Sequence, residues 1–123
     1  MPILTVEIVG PAPRGVASRI ADAAGEVFGA GPGTTWVRLH RITSADYAEN
    51  GGGPPRGVRP VFASVLKRGV AGGPALEREA AALTAAIAKA VGRSVENVHV
   101  VYEPPAAGRL AFGGRLVPRK RAR

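Results

Sequence analysis

The chain has 123 residues, 46% hydrophobic and 21% charged, enough apolar material for one compact core and too little length for two. It contains no cysteine and two histidines, His40 and His99, which excludes disulfides, thiolate catalysis and Cys-ligated metal and makes a His-rich metal site a poor candidate. The net charge is +8, an excess that suggests an anionic partner, but five of the 17 basic residues (Arg115, Arg119, Lys120, Arg121 and Arg123) fall in the last nine positions; eight less those five leaves +3 for the body.

Residues 3 to 9 (Ile-Leu-Thr-Val-Glu-Ile-Val) are rich in β-formers and partly alternating, which predicts a strand with Leu4, Val6 and Ile8 on one face. After a turn, Val16, Ile20, Ala23 and Val27 recur at helical spacing, with Pro13 at the start and Gly29 or Gly31 as a left-handed stop. A β-branched segment, Thr34 to Ile42, follows, and then a polar stretch ending in Gly51 to Gly53. The pattern then repeats. Val61 to Leu66 is a strand behind Pro60, as Ile3 stands behind Pro2. Leu76, Ala80, Leu83 and Ile87 mark a helix between Pro74 and Gly92. Val95 to Tyr102 is the next β-rich segment, and Gly113-Gly114 closes the unit. In this alignment Arg38 falls opposite His99.

The expected organisation is α+β: two fused β-α-β units, residues 2–53 and 60–114, in one domain spanning 1–117, with a basic tail at 118–123. If each unit is parallel with the usual right-handed crossover, the strands form one four-stranded sheet with both helices on one face. The other face, partly apolar, calls for a symmetric oligomer to cover it. No apolar run approaches the roughly 20 residues of a bilayer span, and no charged segment precedes an apolar one near the start, so a cytoplasmic, membrane-independent protein is expected.

Pro2 directly follows the initiator methionine. Removal of Met1 would leave a secondary amine, and an α-amino group titrates near ~7.7 to 8.0 before its surroundings shift it, which suits a general base. The sequence offers no comparable base, since both histidines fall within predicted strands. Pro60 lies behind Arg59 and has no free amine.

A proline opening a strand in a duplicated β-α-β chain resembles the tautomerase superfamily. The resemblance covers the chain to about Val117. It is densest in Asn97-Val98-His99-Val100-Val101, Glu103-Pro104 and Gly108 to Gly114, and in Gly114-Arg115-Leu116-Val117-Pro118, which is similar to the close of the cis-3-chloroacrylic acid dehalogenase group. The resemblance implies the tautomerase/MIF-like fold, a homotrimer, no cofactor and a small acidic substrate. It assigns Pro2 as the base. Arg68 and Lys67, at the end of the third strand, and Arg38, in the second, would hold substrate carboxylate, Arg38 by reaching into a neighbouring active site; Arg14 opens the first helix; for the aromatic that shields the proline, Leu110 aligns by spacing and Phe112 stands two positions later. A guanidinium grips a carboxylate bidentately and can stabilise an enolate.

Ala111 stands where the hydrolytic dehalogenases place a carboxylate, which disfavours dehalogenation. The expected function is keto-enol isomerisation of a 2-hydroxy-enoate or enolpyruvate-type acid. The alternatives are a hydratase, dehalogenase or decarboxylase of the same superfamily, or a basic ferredoxin-like RNA-binding module. The last sits poorly with 5% aromatics, because such modules stack bases on exposed aromatic pairs; nucleic acid is therefore not the expected partner. Trp36 and His40 read as packing residues.

Overall fold

The computed structural model describes residues 2–119. Four strands, β1 (Ile3–Val9), β2 (Trp36–Ile42), β3 (Val61–Leu66) and β4 (Val98–Tyr102), form one sheet in the order β2-β1-β3-β4, and α1 (Val16–Phe28) and α2 (Gly73–Val91) connect the strands of each unit. β1 and β2 are parallel, β3 and β4 are parallel, and the two units meet through an antiparallel β1–β3 seam. A short hairpin, β5 (Ala111–Phe112) and β6 (Arg115–Leu116), follows, turning at Gly113-Gly114. Lys120 to Arg123, most of the basic tail, lie outside the described residues, as does Met1.

Strand alternation fixes which side is the core. Leu4, Val6 and Ile8 of β1 and Val61, Ala63 and Val65 of β3 are fully buried against Val16, Ile20 and Ala24 of α1 and Leu83, Ile87 and Val91 of α2. Both helices thus lie on one sheet face, as the two crossovers require. Each helix ends on a left-handed glycine, Gly29 (φ 62°) and Gly92 (φ 72°). The next N–H reaches back in each case, Ala30 to the Gly25 carbonyl at 2.9 Å and Arg93 to the Ala88 carbonyl at 3.0 Å, which is a Schellman closure.

Those caps also correct the repeat alignment. Seven residues beyond them lie Trp36 and His99, which pair with Ile3 and Phe62 respectively, so Arg38 corresponds to Val101 and Pro2 to Val61. The match of Pro2 with Pro60 is off by one, and a one-residue slip would exchange the two sheet faces. The ferredoxin-like alternative also fails: that split arrangement inserts another strand between the strands of a β-α-β unit, whereas here they pair directly.

The face away from the helices carries three cross-sheet rows: Trp36, Ile3 and Leu66; then Arg38, Thr5, Ser64 and Val101; then His40, Glu7, Phe62 and His99. Trp36 and Val101 are more than half exposed there. No helix among the described residues is long and apolar enough to cross a membrane.

Leu83 is fully buried where α2 meets the sheet. Leu83→Ala is expected to lower unfolding free energy by about 2 to 5 kcal/mol, measured by urea denaturation at constant m-value.

Candidate active site

The starts of β1 and β2, the end of β3 and the loop after β4 come together at one end of the sheet. On the open face they enclose a cleft of about 770 Å³, with Ile3, Thr5, Trp36, Arg38, Ser64 and Leu66 as its floor and the loop from Glu103 to Leu110 as its wall. The loop is held by main-chain bonds: the Ala106 N–H donates to the Lys67 carbonyl (2.8 Å), the Ala107 N–H to the Arg68 carbonyl (3.2 Å) and the Gly108 N–H to the Val117 carbonyl (2.7 Å). Within the loop, Ala106 is fully buried.

Arg38 lines the cleft of its own chain, with Nη2 donating to the Thr5 hydroxyl at 2.9 Å. Arg109 also lines the cleft, but its guanidinium donates to the Pro105 and Pro104 carbonyls, each at 3.0 Å, and so braces its own loop. Phe112 lies on the hairpin with its ring edge-on to Trp36, centroids 5.2 Å apart. Trp36 is fixed by its indole N–H on the Gly33 carbonyl at 3.0 Å. It is therefore a rim residue of the cleft as well as a packing residue. Its alternation with Arg38 along β2 was the signal in the sequence that placed both on the open face.

Pro2 is buried at the head of β1, its carbonyl accepting the Trp36 N–H at 2.9 Å. It shares the parity of Leu4 and Val6 and so belongs to the helix-facing side. The printed pairing ends at Ile3 with Leu66 and Trp36; carried one step further, the register points from Pro2 to Lys67, just after β3, and to Thr35, just before β2. The Thr35 hydroxyl oxygen is buried without a hydrogen-bond partner among the described residues.

Lys67 does not extend into the open cleft. Its ammonium donates to Glu79 Oε1 on α2 at 2.7 Å and sits 5.0 Å from the centre of the Phe28 ring. Tyr102 donates its hydroxyl to the other oxygen of Glu79 at 2.8 Å. Burial, reinforced by that bond and the carboxylate charge, pushes the Tyr102 phenol far above its ordinary range, so it stays a donor at any physiological pH. Arg68 is exposed at the same end and donates to the Pro118 carbonyl at 3.1 Å. Arg14 is not brought there. It precedes α1, beyond the far end of β1, a seven-residue strand whose length of roughly 23 Å separates it from Pro2 within one subunit. Among the described residues no cluster of metal-ligating side chains occurs.

No protein-family model matches the sequence, and no curated protein matches it. Solved structures do. A native fused 4-OT superposes with a TM-score of 0.71 at 18% identity, covering 94% of this chain and 95% of that one. The macrophage migration inhibitory factor of Oncomelania hupensis gives 0.73 at 17% identity, over 97% of this chain and 84% of that one. A wild-type fused 4-OT forming a symmetric trimer gives 0.66 at 20% identity, over 94% of both chains. This chain has the tautomerase fold. Within that fold its open-face cleft, its aromatic rim and its leading proline lie at the same end of the sheet.

Trp36 is the only tryptophan and borders the cleft. A small 2-oxo or 2-hydroxy carboxylate titrated into the protein is expected to change its fluorescence saturably, and Arg38→Leu to weaken that binding about tenfold, the worth of one charge-assisted hydrogen bond. An unchanged Kd would place the carboxylate elsewhere.

Proposed function

We propose that the chain is an isomerase of the tautomerase superfamily, acting on a small 2-hydroxy-enoate or enolpyruvate-type acid with the Pro2 amine as general base. The observation that carries this reading is the position of Pro2. It is the first residue ahead of an inner sheet strand, buried at the end of the sheet that carries the cleft, without being one of the cleft-lining residues. Only after loss of Met1 does that nitrogen carry a free lone pair. It would take the enol proton and return it to the adjacent carbon, so that one C=C bond is exchanged for C=O with no change in redox state.

Arg38 and Arg68 are the cations free to meet the substrate carboxylate and the developing enolate. Each spends one described hydrogen bond on the protein, which leaves further donors of the five-donor fork. Such charge-assisted bonds strengthen as negative charge builds on the substrate oxygen. No metal or organic cofactor is required, because the arginines stabilise the enolate. Burial of Pro2 among apolar groups favours the neutral base.

The chain would work as a homotrimer. The open sheet face, with its exposed Trp36 and Val101, is the surface an assembly would cover, and a fused 4-OT of this fold is a symmetric trimer. In such an assembly Arg14 of one subunit could serve the cleft of the next. A single chain cannot make that contact.

Intact mass spectrometry should show a chain lighter by one methionine. That protein should ketonise phenylenolpyruvate or 2-hydroxymuconate, and Pro2→Ala should lower kcat/KM by at least about 100-fold, the usual worth of a positioned base. A retained Met1, or full activity in Pro2→Ala, would overturn the assignment.

A further inference from the structure

On the helix side of the sheet, at the end where β1 starts, lies a polar cluster that the proposed reaction does not use. It joins three segments distant in sequence: Lys67 just after β3, Glu79 on α2 and Tyr102 at the end of β4. Both oxygens of Glu79 are occupied, one by the Lys67 ammonium at 2.7 Å and one by the Tyr102 hydroxyl at 2.8 Å. Lys67 and Glu79 are about one-fifth exposed at the side chain. Charges so placed are screened far less than surface pairs, and their fields reach neighbouring groups.

Strand register points to the Pro2 amine as the group they reach. Opposite residues of an antiparallel pair have Cα atoms about 4.5 to 5.5 Å apart, and the β1–β3 register carried one step past Ile3 and Leu66 makes Lys67 the residue opposite Pro2. Both point to the helix layer by the alternation of their strands. Among the described residues nearby, α1 contributes Phe28 against Lys67, the uncharged Thr35 stands just before β2, and Arg38, Glu103 and Arg109 line the cleft on the opposite face. Arg68 points its guanidinium at the Pro118 carbonyl.

We propose that Glu79 is a positioning residue that pins Lys67 below the sheet and cancels most of its charge, so that the basicity of the Pro2 amine is set by the balance of Lys67 against Glu79. The cluster also divides the cations by task. Lys67 is retained on the helix side as part of the amine's electrostatic setting, and Arg38 and Arg68 are left to the substrate. Removing either charged partner alone exposes the other, so the two removals act with opposite sign. Without Lys67, the bare carboxylate favours the ammonium form and raises the amine pKa. Without the Glu79 charge, the bare ammonium of Lys67 favours the neutral amine and lowers it.

This inference rests on the proposed role of Pro2, and the test reads the amine itself and not turnover. Protein whose Met1 has been removed, by the cell or by an aminopeptidase, is labelled with 15N-proline, and the Pro2 nitrogen is titrated by NMR. Lys67→Met is expected to raise its pKa by about one unit and Glu79→Gln to lower it by about one unit, the size of one partly screened charge at this range. Tyr102→Phe, which deletes a hydrogen bond and no charge, is expected to lower Tm while leaving that pKa nearly unchanged. Lys67→Arg should restore the wild-type value. Shifts of the same sign, or shifts under a few tenths of a unit in both charge variants, overturn the proposal and assign the cluster to packing alone. A protein that shows the opposed shifts but ketonises no enol acid overturns the proposed activity and leaves the charge balance standing.

Discussion

The antiparallel seam between β1 and β3 is the constraint on which the remaining structure depends. Each β-α-β unit can form its own parallel pair and crossover, but neither half closes a core alone, because each helix covers only part of one sheet face. Joining the units through β1 and β3 places α1 beside α2 and buries Leu4, Val6 and Ile8 with Val61, Ala63 and Val65 in one layer. The same register fixes what stands opposite Pro2. A slip of one residue would bring a different side chain there and turn the apolar row outward, so the pressure to bury the core and the placement of the polar cluster are enforced by one set of hydrogen bonds.

Much of this was legible in the sequence because the signals were local. Period-two alternation in residues 3 to 9, helical spacing of apolar positions and the glycine stops gave two β-α-β units in the observed order, and the two C-caps at Gly29 and Gly92 match their sequence signature. The finer repeat alignment was not legible. Proline at positions 2 and 60 suggested equivalence, whereas the pairing of Ile3 with Trp36 and of Phe62 with His99 makes Val61 the counterpart of Pro2. Hydrogen-bond register is a tertiary property, and α2 is six residues longer than α1 (19 against 13), which removes a constant offset between the halves.

The candidate site divides in the same way. Strand parity puts Arg38 on the open face with Trp36, whereas the sequence leaves the shielding aromatic open between Leu110 and Phe112 beside the glycine hairpin. The family resemblance makes Lys67 and Arg68 a cationic pair, and nothing in the local sequence announces the Lys67 partner 12 residues away on α2. Tyr102 contributes through a bond spanning 23 residues. Such pairs exist only once β3, α2 and β4 have assembled. The role of Trp36 at the rim was missed for a different reason: one aromatic on a strand has no periodicity of its own, and its exposure depends on a hairpin more than 70 residues away in the chain.

The arginine content takes on a structural meaning from the loops it serves. Proline has no N–H, so segments rich in it have carbonyls that their own main chain cannot satisfy. Arg93 donates to the carbonyls of Pro11, at 2.6 Å, and Arg59, at 2.8 Å, tying together the loops before α1 and before β3. Arg109 spans Pro104 and Pro105, and Arg68 takes Pro118. A lysine could not replace the multi-donor fork at Arg93. Burial, with Arg59 nearby, lowers the Arg93 pKa from its ordinary value, the cost of placing a cation inside a loop junction. The charge that first suggests an anionic partner is therefore partly committed to holding proline-rich connections. Near the cleft, Arg38 and Arg68 each make one described hydrogen bond, to Thr5 and to the Pro118 carbonyl, and the guanidinium fork of each has five donors.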